Sequence, residues 1–247
     1  MQDQIPPERK TYEQSYVRSL FDRIAPHYDF LNHVLSFGFD IRWRRTAVSL
    51  LGEYEPRTIL DVATGTADLA LEASTLQAER IYGIDLSPVM LKLAQQKVER
   101  RGLTRKIVLE EGFAEHLRFP DNSFDVVMVA FGIRNFSDLR RGLTEMQRVL
   151  RPGGAIMILE FSKPKPAPFR QMYSFYFTEI LPWIGGTISK SPEAYQYLPS
   201  TVQSFPDGEN LIKILVAEGF IGAFHRPLTL GIATIYIAEK PTYSGPR

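Results

Sequence analysis

Apolar positions follow two rhythms along this chain. Over residues 11–51 they recur at helical spacing, with Val17, Leu20, Phe21 and Ile24 on one face and a break at Pro26, which predicts helices ahead of the main fold. From residue 58 onward, short apolar runs alternate with longer amphipathic stretches. Strands are predicted at 58–62, 80–85, 106–111, 124–130 and 155–161, with helices such as 88–101 and 139–150 between them. Ser87-Pro88 offers an N-cap and a first-position proline, while Arg151-Pro152-Gly153-Gly154 ends a helix and turns into the fifth strand. Strict alternation of strand and helix implies a parallel, doubly wound sheet.

After Phe161 the rhythm changes. Pro164, Pro166 and Pro168 make a stiff, extended linker, and the aromatics that follow (Phe169, Tyr173, Phe175, Tyr176, Phe177, Trp183) either pack a small helical insertion or line an apolar substrate pocket. A helix at 211–218, capped by Gly219, precedes two late strands at about 221–227 and 231–238. Too little chain separates them for a crossover helix, so they should pair antiparallel. The expected fold class is α/β: a doubly wound, mostly parallel seven-stranded sheet forming a single domain over 1–247, with an N-terminal helical cap at about 11–51 and an insertion at about 163–205.

Composition narrows the function classes. At 247 residues and 44% hydrophobic content, the chain is long enough for one α/β domain with additions. A net charge of +1 gives no electrostatic case for nucleic acid. With no cysteine and four scattered histidines, no metal site is expected. The polar stretch 1–13 lacks the apolar run of a signal peptide and no stretch approaches a membrane span, so a cytoplasmic location is the expectation.

The candidate chemistry lies between Thr58 and Asp85. An apolar strand reaches Asp61, a small-residue turn follows (Ala63-Thr64-Gly65-Thr66-Ala67-Asp68), and the next strand ends at Asp85. An acidic residue closing the second strand of a βαβ unit is placed to take both ribose hydroxyls, and a turn poor in side chains lets a ligand lie against backbone. That combination indicates a nucleoside cofactor. The turn lacks the G-x-G-x-x-G spacing of a dinucleotide site. It is similar instead to the acidic-x-G-x-G-x-G loop of class I S-adenosylmethionine (SAM) methyltransferases, with alanine at the first and third glycine positions. Because alanine is poor at positive φ, the turn is expected to use mostly ordinary backbone angles.

Longer segments resemble a more specific family, the ubiquinone/menaquinone biosynthesis C-methyltransferases. They are Tyr28-Asp29-Phe30-Leu31-Asn32-His33 running on to Arg42-Trp43, Phe131-Gly132-Ile133-Arg134-Asn135, Arg148-Val149-Leu150-Arg151-Pro152-Gly153-Gly154 through Leu159-Glu160-Phe161-Ser162, Ser191-Pro192-Glu193-Ala194-Tyr195-Gln196-Tyr197-Leu198, and Gly231-Ile232-Ala233. The resemblance implies SAM as cofactor and a demethylated polyprenyl quinol as substrate: demethylmenaquinol, with the ubiquinone precursor as a further candidate. In that frame Asp61, Gly65, Thr66, Asp85, Phe113, Ala114 and Ala130 are the cofactor-binding candidates. Arg134 would stabilise a phenolate and Asn135 would bond the other ring oxygen. Asp29, Asp40, Tyr195 and Glu160 are open candidates for the base, beside a water. Ionising a phenol of pKa about 10 at pH 7 costs roughly 4 kcal/mol, a gap that a cation and a base can close.

Plainer readings stand beside these. Arg134 is also suited to a salt bridge, Glu160 to capping a turn, and Tyr28 and Trp43 to packing. Asp40 stands where the family commonly has histidine, and Phe113 where many SAM enzymes have an adenine acceptor, so backbone near Phe113 and Ala114 must serve. The polyprenyl tail implies peripheral contact with the inner face of the membrane, through the aromatic insertion or the N-terminal helices; a homodimer is left open. Two other functions compete: methylation of a different apolar small molecule, and nonenzymatic carriage of a quinone or lipid.

Overall fold

The computed structural model describes residues 13–36, 38–164, 167, 171 and 192–242. Three helices come first: α1 (Gln14–Ile24), α2 (Tyr28–Leu35) and α3 (Phe39–Leu51), with Pro26 in a 3-10 turn between the first two. The alternating part follows as β1 (Thr58–Val62), α4 (Asp68–Ala73), β2 (Arg80–Asp85), α5 (Pro88–Arg100), β3 (Ile107–Glu111), β4 (Phe124–Ala130), α6 (Leu139–Val149) and β5 (Leu150–Phe161). Past the linker come α7 (Pro192–Ser204), α8 (Glu209–Ala217), β6 (Ile221–Leu228) and β7 (Ala233–Glu239).

Seven strands form one sheet in the order β3-β2-β1-β4-β5-β7-β6. The first five are parallel, and β7 runs antiparallel between β5 and β6. Successive strand residues point to opposite faces. Ile59, Ile81, Val126 and Met128 therefore join α3, α4 and α5 in one core layer, while Leu60, Ile84, Val127 and Val129 join α6 and α8 in the other. The chain order reverses between β1 and β4, which opens a crevice at the carboxyl ends of those strands.

Capping follows the sequence closely. Ser87 Oγ accepts the Met90 amide at 3.0 Å at the start of α5, and its hydroxyl also donates to Asp22 of α1 at 2.5 Å. That second bond fastens the first helix over the crevice. Two expectations need correction. The fifth strand starts at Leu150, because Leu150 pairs with Phe124 ahead of a register shift and Gly153 turns through φ +78°. In the β1 loop, Ala63 (φ 54°), Gly65 (φ 57°) and Ala67 (φ 66°) are all left-handed, so the turn is not made of ordinary angles. The Thr64 amide bonds the Ile84 carbonyl at 2.9 Å and the Ala67 amide bonds Thr64 at 2.9 Å, which holds two alanines in a conformation costing each about 1 kcal/mol.

A candidate cofactor and substrate cleft

An open cleft lies at the crevice, and a smaller recess adjoins it across Tyr28, Ala63, Gly65 and Phe131. The cleft brings together Gly65, Asp85, Phe113, Ala114 and Asn135 from four separate parts of the sequence; the recess holds Asp61, Thr66 and Ala130. All seven cofactor-binding candidates thus line the cleft or the recess beside it.

Asp85 braces the loop and faces the cleft at once. Its Oδ2 accepts the Gly65 amide at 2.8 Å and its Oδ1 accepts the Ser87 amide at 2.9 Å, with the carboxylate still open to the cleft. Enclosure pushes its pKa up to about 6, against the two amides that favour the charged form. Asp61 is wholly buried. Its Oδ2 accepts from the Thr64 hydroxyl at 2.5 Å, whereas Oδ1 has no hydrogen-bond partner among the described residues, and the nearby Ala70 amide favours the charged form. Burial pushes this carboxyl up to about 7. A buried carboxylate oxygen at the edge of a small recess suits a cation, and bare backbone suits close approach. A Cβ on Gly132 would stand 2.6 Å from the Ala63 Cβ, so no side chain fits there. These features fit the sulfonium and ammonium charges of SAM.

At the carboxyl end of β4, Arg134 and Glu160 form a buried pair. Arg134 Nη1 donates to Glu160 Oε1 and to the Phe131 carbonyl, both at 2.6 Å, and its guanidinium lies 5.5 Å from the centre of the Phe161 ring. Glu160 also accepts the Phe161 amide at 2.8 Å. Burial raises the Glu160 carboxyl above its ordinary range, with the Arg134 charge opposing it. Here the salt bridge weighed from sequence is present, with a strand carboxylate, and the amides that Glu160 accepts belong to Arg134 and Phe161 rather than to the turn that follows β5. Asn135 lines the cleft and its Oδ1 accepts from the Tyr197 hydroxyl of α7 at 2.9 Å.

A model of the ubiE/COQ5 methyltransferase family matches residues 9–240. The chain belongs to that family. Among its relatives, a demethylmenaquinone methyltransferase of Bacteroides fragilis is 44% identical over 241 residues, covering 97% of this chain and 98% of the relative. A ubiquinone/menaquinone biosynthesis C-methyltransferase of Geobacter sulfurreducens is 47% identical over 234 residues, 94% of this chain and 91% of its own. A solved SAM-dependent methyltransferase from Thermotoga maritima aligns over 90% of this chain and 99% of its own with a TM-score of 0.64; at 18% identity it speaks for the fold alone.

Within this family member, the base candidates fare differently. Asp29 accepts the Thr66 hydroxyl at 2.6 Å and pairs with Lys97 at 2.7 Å, so both its oxygens are engaged. Asp40 lines neither cleft nor recess; it is buried on His33, Ser36 and Arg44 at 2.8, 2.7 and 2.5 Å. Tyr195 falls in α7, but its side chain lies outside the described residues, as do the aromatics from Phe169 to Trp183. Among the lining residues, Gln14 and Arg18 of α1 and Phe136 escaped the sequence reading, while Tyr28, read there as packing, and Phe131 also line the cleft. Val17 and Phe21, noted as a helical stripe, line the cleft as well. Such a stripe carries the same pattern whether it meets core or ligand.

Proposed function

We propose that this chain is a SAM-dependent C-methyltransferase that methylates the ring carbon of a demethylated polyprenyl quinol, converting demethylmenaquinol to menaquinol in respiratory quinone biosynthesis. One observation carries the reading. Asp85, the side-chain-poor β1 loop and Asn135 share a single cleft in a chain matched by the family model over nearly its full length.

SAM supplies an electrophilic methyl group on a cationic sulfur when bound. Asp85 takes the ribose hydroxyls as a charged acceptor. Thr66 and Asp61 hold the amino-acid end, Phe113 and Ala114 frame the adenine, and Ala130 borders the reacting centre. The quinol must lose a ring-hydroxyl proton to make the adjacent carbon nucleophilic, whereas the oxidised quinone is electron-poor. Asn135 bonds one quinol oxygen. Arg134, buried behind the cleft wall on Glu160 and the Phe131 carbonyl, is the cation assigned to stabilise the phenolate. The ubiquinone precursor is a second substrate with the same ring chemistry.

Peripheral contact with the inner face of the membrane gives access to the lipid substrate. Among the described residues no helix is long and apolar enough to cross a membrane. On α3, exposed Phe39 and Ile41 sit beside exposed Arg42 and Arg45, which supports docking on anionic lipid. The reading is tested by incubating the protein with labelled SAM and a short-chain demethylmenaquinone, chemically reduced or left oxidised. Label should enter the reduced ring alone; equal labelling of both forms, or none, would refute it.

A further inference from the structure

Lys97 of α5 stands at a junction that the methyl-transfer reading does not use. Its Nζ lies 2.8 Å from Thr66 Oγ1, 2.6 Å from Asp68 Oδ1 and 2.7 Å from Asp29 Oδ2. These partners belong to the β1 loop, the first turn of α4 and the first turn of α2. An ammonium has three N–H donors and no acceptor. All three are committed, so Lys97 has nothing left to offer a ligand. Its effect must pass through the groups it holds.

The Thr66 hydroxyl is the group whose behaviour this fixes. It gives its single hydrogen to Asp29 Oδ1 and takes Lys97 on one lone pair. One lone pair remains. Toward a ligand, the Thr66 side chain can only accept, which matches an ammonium and not a carboxylate. Asp68 extends the tie to Arg44 at 3.3 Å, and Arg44 reaches Asp40 at 2.5 Å, so α3 joins the same network. Tyr28, next to Asp29 in α2, lies 3.7 Å from where a Gly65 Cβ would stand, so α2 also packs on the β1 loop there.

We propose that Lys97 is a positioning residue for the amino-acid end of SAM: by tying Asp29, Thr66 and Asp68 together it sets the Thr66 hydroxyl as an acceptor for the cofactor's ammonium and holds α2 on the β1 loop. This rests on the reading of the cleft as a SAM site. The adenosine end falls to Asp85, Phe113 and Ala114, which line the cleft, whereas Thr66 and Asp68 line the adjoining recess.

The two ends can be separated with two ligands. Methylthioadenosine keeps the adenosine and sulfur of SAM and lacks its amino-acid end. Isothermal titration of the wild type, Lys97→Met, Lys97→Arg and Asp29→Asn with each ligand should give at least a tenfold loss of SAM affinity in Lys97→Met, partial recovery in Lys97→Arg, and methylthioadenosine binding within twofold throughout. Asp29→Asn, on the half-exposed partner, should lose SAM affinity several-fold and serves where Lys97→Met does not fold. Equal weakening of both ligands would make Lys97 merely structural and overturn the proposal, as would unchanged SAM affinity in the variants. A wild type that binds neither ligand would overturn the SAM reading itself.

Discussion

The Arg134 guanidinium and the Glu160 carboxylate meet at 2.6 Å at adjoining strand ends, with side chains 6% and 0% exposed. Removing one partner of such a pair leaves a buried charge uncompensated, at a cost of about 3–5 kcal/mol. Arg134→Ala should therefore lose stability as well as turnover. Pairing it with Glu160→Gln should restore much of the melting temperature and none of the turnover. Thermal unfolding and a methylation assay on the single and double variants check this, and recovery of turnover in the double variant would remove Arg134 from the reaction.

Asp85 must be charged to accept strongly from ribose hydroxyls, and its pKa stands at about 6. SAM affinity should hold steady above pH 7 and fall as pH drops through 6. Asp85→Asn should weaken binding by about 10- to 100-fold, in keeping with about 1.5–3 kcal/mol for a charge-assisted bond, and should flatten the pH dependence. Titration calorimetry from pH 5 to 8 measures both.

Asp61 carries a stability consequence of definite sign. Its folded-state pKa is raised to about 7 from an ordinary 3.8 by burial. A raised carboxyl contributes stability that is fully present below about pH 4 and is lost as pH rises through about 7. The shift of roughly 3 units corresponds to as much as about 4 kcal/mol. Relative to wild type, Asp61→Asn should thus gain stability steadily between about pH 4 and 7 and level off above, which denaturant unfolding from about pH 4 to 8 would reveal.

Gly132 and Ala63 define a steric lock. Gly132→Ala would put two methyl groups 2.6 Å apart and should displace the β1 loop, abolishing SAM binding. Adding Ala63→Gly removes the clash and should restore it. Ala63→Gly alone, at φ 54°, should stabilise the fold by about 1 kcal/mol by relieving a left-handed alanine. Persistent SAM binding in Gly132→Ala would show that the loop yields.

Strand positions were legible because polar turn residues bound each apolar run: β1, β2 and β4 occupy the predicted 58–62, 80–85 and 124–130. The backbone of the β1 loop was not legible. Alanine's own preference disfavours positive φ, and the bonds from Thr64 to Ile84, from Ala67 to Thr64 and from Gly65 to Asp85 impose it across distant parts of the chain. In the site, Asp85 could be read because its role follows from strand order. The Arg134–Glu160 pair spans 26 residues and forms only where β4 and β5 end side by side, which no local pattern encodes. The Tyr195-Gln196-Tyr197 segment shows the same limit. No local pattern announces that the Tyr197 hydroxyl reaches Asn135, 62 residues away in sequence.

The central claim concerns where the methyl group goes. Reduced short-chain demethylmenaquinone treated with carbon-13-methyl SAM and the wild-type protein should yield a product whose labelled methyl resonates as a ring-carbon substituent, and Asp85→Ala should yield none. A label found on oxygen, or a wild-type protein that leaves the quinol unlabelled, would contradict the account.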